Sequence, residues 1–300
     1  MEIVIANLIL LLVPPRMLVY NGIRQVRVMR KFLLTDLEHA STKHAIPLSP
    51  LSLKGNQDKW YYEKENLVVK AALFDGFIRW EDWKVEVLAS EIMPQFQIDV
   101  LEQKACMIDD GFGNIIYGSY SRDFRSEYER YYTFGRLLQK RDLTERFTSL
   151  SAQDKIKTGV EVLSEYIGEA QASRFIEDMC LADYILGNVD RHYDNFGVLV
   201  RRDISGNLVE RRPVPLYDFG MGLFQNQREG LGDDLDTARE AMLYSPFTIN
   251  LQDAYAFYRD KWRGRCRGMS IDLTGLDFPK GLGKQYIRYT LASLDVRTEG

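Results

Sequence analysis

The sequence predicts an α+β fold: a small antiparallel sheet carrying one helix, followed by a mainly helical second part. Three observations carry this prediction. Between about residues 45 and 120, short β-type runs alternate with turns; from about 126 onward apolar residues recur at helical spacing; and one β-hairpin interrupts that helical half. With 300 residues, 45% of them hydrophobic, the chain can bury a core as one large domain or as two parts sharing a cleft. No fixed-period repeat or low-complexity linker divides it.

The elements follow in order. Residues 3–13, IVIANLILLLV, are apolar but lack a basic start, are too short to span a bilayer as a helix, and end at Pro14-Pro15. They read as a strand or as an extension, and Met29 is an alternative natural start to Met1, so 1–28 is set apart as an amino-terminal extension. The β runs are KWYYE (59–63), NLVVKAALF (66–74), KACMIDD (104–110) and IIYGSY (115–120), the last two joined by the turn Gly111-Phe-Gly-Asn114. Between them WEDWKVEVLASEIM places Trp83, Val87 and Ile92, with Leu88, on one face of a helix. This first part is taken as 29–125 and the helical part as 126–300. In the second, SAQDKIKTGVEVLSEYIG (151–168) and ASRFIEDMCLADYILGN (172–188) are helical, with Phe175, Met179, Ala182 and Leu186 on one stripe. FGVLV, the turn Ser205-Gly206-Asn207, then LVE and VPLYDFG form a hairpin.

Composition excludes some partners. The net charge of −4 and a pI near 5.6 provide no basic field for nucleic acid, and no basic cluster favours a stable membrane association. Cys106, Cys180 and Cys266 are too scattered for a disulfide framework or a zinc site, which predicts a reduced, cytoplasmic protein. His39, His44 and His192 are likewise too scattered for zinc.

The chemistry concentrates in LGNVDRHYDNFGVLV, residues 186–200, and in Tyr217-Asp218-Phe219-Gly220 at the far end of the hairpin. Asn195 follows Asp190 by five positions and Asp218 follows Asn195 by 23. Phosphoryl transfer needs a carboxylate to take the proton of an attacking hydroxyl and hard oxygen ligands to hold magnesium against nucleotide phosphates. Asp190 fits the base; Asn195 and Asp218 fit the metal. The D-x-x-x-x-N spacing and the DFG tripeptide are those of a protein-kinase catalytic loop and metal-binding segment. Turn chemistry, with each side chain bonding local backbone, is the alternative for all three. Other phosphate motifs fail: GFGNIIYG lacks G-x-G-x-x-G spacing, and GLGKQY has Gln285 where a P-loop needs Ser or Thr.

GNVDRHYDNFG followed by DFG resembles the HipA-like serine/threonine kinases, including their compact members, and more distantly the phosphatidylinositol kinases, which also carry DRH. SPLSLKGNQDKW (49–60) is similar to the family's S-x-x-G-x-Q-x-K phosphate loop, and SPFTIN (245–250) to its segment after DFG. The resemblance runs from about residue 30 onward and is specific only over 186–220. It implies a two-lobed protein-kinase-like fold and an ATP- and magnesium-dependent kinase acting on a protein serine or threonine, itself included. Lys70 would hold the nucleotide's α and β phosphates, Glu86 would pair with it, and Glu91 ranks second for that role. Gly55, Gln57 and Lys59 would line the phosphate loop, and Ser52 falls at the family's autophosphorylated serine.

Each assignment has a plain counterpart. Lys70 also reads as an edge-strand lysine that discourages aggregation, and Ser52 as an exposed loop hydroxyl. His192 reads as a rival base or as an orienting group for the loop. Asp183 reads as support for the loop or as a solvated position, and Arg191 as a group that steadies the loop carboxylates. The short family members imply a toxin with an antitoxin partner. Against this, the chain has no room for the family's extra amino-terminal subdomain, and Lys54 and Trp60 make its phosphate loop unusual. A lipid or small-molecule kinase and an inactive kinase-fold interaction module are the competing functions. The charged, glycine-rich QREGLGDDLDTARE is expected to order on phosphorylation or substrate binding.

Overall fold

The computed structural model describes residues 27–29, 45–48, 58–63, 65–74, 80–109, 115–126, 128–225, 234–245 and 248–300. Ser52, Gly55, Gln57, His39, His44, the Gly111–Asn114 turn and nearly all of the amino-terminal extension lie outside these residues. So does much of the charged stretch after DFG. The chain divides into two compact units, 1–83 with 103–123, and 84–102 with 124–300.

The first unit is an antiparallel sheet. Its strands are β1 (Arg27–Met29), β2 (Ala45–Leu48), β3 (Lys59–Tyr62), β4 (Leu67–Ala71), β5 (Lys104–Asp109) and β6 (Ile115–Arg122), in the order β1-β5-β6-β4-β3-β2. Alternation decides its faces: Leu67, Val69 and Ala71 of β4 join Trp60, Tyr62, Cys106 and Ile108 in a small core, while Val68 and Lys70 point to the opposite face. Burying each large apolar side chain there contributes about 1.5–3 kcal/mol. Gly118 lets β6 approach β4 closely, since a Cβ at this position would lie 2.2 Å from the Lys70 carbonyl oxygen. Strands β1 and β2 were not foreseen in the sequence; both are short edge pieces with few residues to show a period.

The second unit begins within helix α1 (Asp82–Ile92). The expected face is corrected here. Val85, Leu88, Ala89 and Ile92 are the buried set, at i, i+3, i+4 and i+7, whereas Trp83 and Val87 are only partly covered. Trp83 instead stacks on Tyr117, ring centroids 5.5 Å apart. The core of this unit is built around α4 (Ala152–Ile167) and α5 (Glu169–Leu186), which follow α2 (Phe134–Gln139) and α3 (Thr144–Ser149). Ser151 caps α4 by accepting from the Asp154 amide at 3.1 Å. Helix α5 buries Phe175, Met179, Ala182 and Leu186 as the period predicts, and its last turn, Leu181–Leu186, is buried all round.

Strands β7 (Glu129–Thr133), β8 (Gly197–Arg202) and β9 (Leu208–Pro213) form a sheet with β8 in the middle. The predicted hairpin is β8–β9, but its second strand ends at Pro213, so that VPLYDFG lies beyond it. Its partner β7 lies in a region read as helical; the lone run ERYYT pairs with residues about 70 positions later, a partnership that local periodicity does not reveal. The chain continues through α6 (Leu235–Glu240), α7 (Leu251–Cys266), β10 (Ser270–Asp272), α8 (Gly283–Ser293) and β11 (Arg297–Glu299), β10 and β11 pairing in parallel. No helix of the described residues is long and apolar enough to cross a membrane.

Candidate functional site

The site grows out of the end of α5. Gly187 stops the helix in the left-handed conformation, φ 59°, with its ring neighbour Tyr286 so close that a Cβ would lie 2.9 Å away. The chain then enters the loop 188–196. Asn188, fully buried, donates from Nδ2 to Asp183 Oδ1 at 2.9 Å and accepts from the Asp190 amide at 3.3 Å. At the other end the Asn195 amide donates to the His192 carbonyl at 2.8 Å, and the loop passes into β8. Two tyrosines support it from β7 and from the residue before Asp218: the Tyr131 and Tyr217 hydroxyls each lie 3.1 Å from the Asp194 carbonyl and 3.0 Å from each other. Thr133 donates to the Asp194 carboxylate at 2.9 Å.

Arg191 joins the two acidic segments. It is only 2% exposed and donates from Nε and Nη2 to both Asp183 oxygens, at 2.8–3.2 Å, and from Nη1 to the Tyr217 carbonyl. Its guanidinium lies over the Phe219 ring, 4.5 Å from the centroid. Burial alone would lower the affinity of Arg191 for its proton, but the Asp183 carboxylate, with Asp218 and Glu86, raises it above the ordinary value. Asp183 is thus a buried ion-pair partner, which removes the solvated alternative. Glu86, 3% exposed on α1, accepts from the Phe219 amide at 3.1 Å and so fixes the DFG backbone. Asp218 itself has φ 64°, a left-handed conformation that aspartate tolerates better than most residues. Leu223 and Phe224, at φ 49° and 64°, do not share that tolerance; both are buried, and the Leu223 amide donates to the Leu186 carbonyl at 2.8 Å, so packing holds the strain.

Asn195 and Asp218 are brought together, Nδ2 to Oδ2 at 2.7 Å, across 23 residues of sequence. Asp190 lies within charge reach of both Asp218 and His192. Burial raises its pKa above the usual carboxylate value; His192 opposes this, Asp218 adds to it, and a Ser245 side-chain hydrogen bond and Arg191 oppose it. The donor set fits magnesium in kind: the Asn195 amide oxygen and the Asp218 carboxylate are hard ligands that would hold the ion, with phosphates and water completing its shell. A cation there would also offset the charge that Asp218 places beside Asp190. Among the described residues no group of three or more His, Cys, Asp or Glu forms an all-protein metal cage.

No protein-family model matches the chain, and no curated protein does. Among solved structures, a Helicobacter pylori proinflammatory kinase, CtkA, superposes with a TM-score of 0.53 at 18% identity, covering 85% of this chain and 91% of that one. The fold is kinase-like. At this identity the likeness concerns fold alone, and the roles of individual residues rest on chemistry and geometry.

Lys70 and Lys59 belong to the first unit, directly opposite each other on β4 and β3, with Ser119 of β6 beside Lys70 in the same row. Strand β4 is an inner strand, so the edge-strand alternative for Lys70 does not hold. Glu91 is exposed on α1. Several supporting residues were not foreseen: Tyr131, Thr133, Ser245 and Thr248 touch the loop from elements far away in sequence. Tyr217 adjoins DFG with no local signal of what it contacts, and none within SPFTIN identifies which hydroxyl reaches the loop.

Proposed function

We propose that the protein is an ATP- and magnesium-dependent phosphotransferase of HipA-like type that phosphorylates a serine or threonine hydroxyl on a protein. The observation that carries this reading is the 2.7 Å Asn195–Asp218 contact with Asp190 beside it: base and ligand pair converge from two loops. Asp190 takes the proton of the attacking hydroxyl, and His192 orients the loop. Asn195 and Asp218 hold magnesium, which when bound neutralises charge on the transferring phosphate. Lys70 holds the nucleotide phosphates, with Lys59 at the start of β3 and Gly55 and Gln57 in the phosphate loop, and Glu86 keeps the DFG backbone in place. The toxin role, the antitoxin partner and phosphorylation of Ser52 rest on the resemblance of the motifs alone.

Calorimetric titration with ATP tests the nucleotide part. Wild type should bind ATP in the presence of magnesium and lose most of that affinity with EDTA, and Asp218→Ala should behave like wild type in EDTA. A panel of acceptors at equal ATP tests the substrate class: transfer to protein hydroxyls supports the proposal, and exclusive transfer to lipid would replace it with the lipid-kinase reading.

A further inference from the structure

The peptide unit that enters Asp190 is held at both of its polar ends. On one side the Asp190 amide donates to Oδ1 of the buried Asn188 at 3.3 Å, and Asn188 is itself anchored through Nδ2 to Asp183 Oδ1 at 2.9 Å. On the other side the Val189 carbonyl accepts twice, from the Thr248 hydroxyl at 2.9 Å and from the Ser245 amide at 3.0 Å. Thr248 is a firm mount for that hydroxyl. It is buried, its amide donates to the Ser245 carbonyl at 2.9 Å, and its carbonyl accepts from Lys155 Nζ of α4 at 3.5 Å. Two residues on, Asn250 caps α7 by accepting from the Gln252 and Asp253 amides at 2.9 and 3.1 Å, and Leu251 and Ala254 of that helix enter the core.

We infer that Thr248 is a positioning residue for Asp190. The Ser245 amide alone satisfies the buried Val189 carbonyl, so the second donor is not needed to avoid an unpaired group. A carbonyl oxygen has two lone pairs, and a second donor fixes the plane of the peptide where one leaves it free to turn. The Thr248 hydroxyl thereby sets the direction in which the Asp190 side chain leaves the backbone. The inference rests on Asp190 being the base. A base turned from its productive direction loses rate without losing nucleotide, as misplacement by about 1 Å can cost about 100-fold.

The test is steady-state transfer of labelled phosphate from ATP to casein and to the chain itself by full-length wild type, Thr248→Val, Thr248→Ala, Thr248→Ser and Asp190→Asn. Circular dichroism checks that each is folded, and calorimetry gives its ATP affinity in magnesium. Thr248→Val removes the hydroxyl and keeps the branched shape. It should lower kcat about 10- to 100-fold with KM for ATP and the calorimetric affinity unchanged, and Thr248→Ser should recover most of the rate by restoring the hydroxyl. Wild-type kcat in folded Thr248→Val or Thr248→Ala would overturn the inference, as would a loss shared by ATP affinity or one that serine does not repair. Failure of both variants to fold would make the hydroxyl a support of stability and overturn it as well. If wild type transfers nothing, or Asp190→Asn matches it, the kinase reading and this inference both fall; a dead Asp190→Asn beside a fully active Thr248→Val removes the inference alone.

Discussion

Asp190 carries a charge that folding does not favour. Its pKa is raised in the folded protein, chiefly by burial and then by Asp218, over the opposition of His192, Ser245 and Arg191. The folded state therefore binds its proton more readily than the unfolded chain. Stability from this group is present below the unfolded value and is lost as pH rises through the raised folded one. Asp190→Asn should accordingly unfold at an equal or higher temperature than wild type at neutral pH without magnesium, and the advantage should shrink as pH falls through that window. The same variant should lose about 10²- to 10⁴-fold in transfer, the usual contribution of a general base. Thermal scans across pH beside rate measurements check both halves; a variant that is less stable and equally active would return Asp190 to a turn-former. For the same reason the acid limb of the wild-type rate profile should lie above that expected of an exposed aspartate. Arg191 is the opposite case. Arg191→Ala leaves Asp183 buried without its partner and should cost about 3–5 kcal/mol in urea unfolding, whereas a solvated loop arginine would cost almost nothing.

At the scale of elements, what holds the site is where helices and strands end and how closely they approach. Gly222 sits where a Cβ would lie 2.5 Å from the Leu186 carbonyl oxygen, so Gly222→Ala should push the DFG segment off the end of α5. The expected outcome is a loss of magnesium-dependent nucleotide binding at least as marked as the loss of stability, read by calorimetry and thermal scans. Much of this level was legible in the sequence. The hairpin β8–β9, the helices α4 and α5 and the four inner strands announce themselves through turn residues and apolar period, and the acidic loop stands out because charge interrupts buried sequence. Strand β7 did not announce itself, because its partner is remote. On α1 the stripe was misplaced: Trp83 is apolar but sits in the first turn and stacks sideways on Tyr117, while Glu86, a residue sequence logic sends to a lysine or to water, is buried against the Phe219 amide. The tyrosine and threonine hydroxyls that brace the loop follow no period, since their contacts are fixed by tertiary packing.

For the whole molecule, the fold is kinase-like and the chain brings Asn195 and Asp218 together from two loops. Ligand linkage gives a test that does not depend on knowing the acceptor. ATP with magnesium at about 100 times its dissociation constant should add about 2.7 kcal/mol to stability, a rise of roughly 5–11 °C at about 2–4 °C per kcal/mol for units of this size; EDTA should abolish it. The central claim is that Asp190, Asn195 and Asp218 make this chain a phosphotransferase, and the most direct measurement is label transfer from γ-labelled ATP with magnesium by wild type beside folded Asp190→Asn. The account predicts labelled product from wild type and at most about a hundredth of it from the variant. Equal transfer by both, or no transfer by wild type under conditions where ATP binding is saturated, would contradict it.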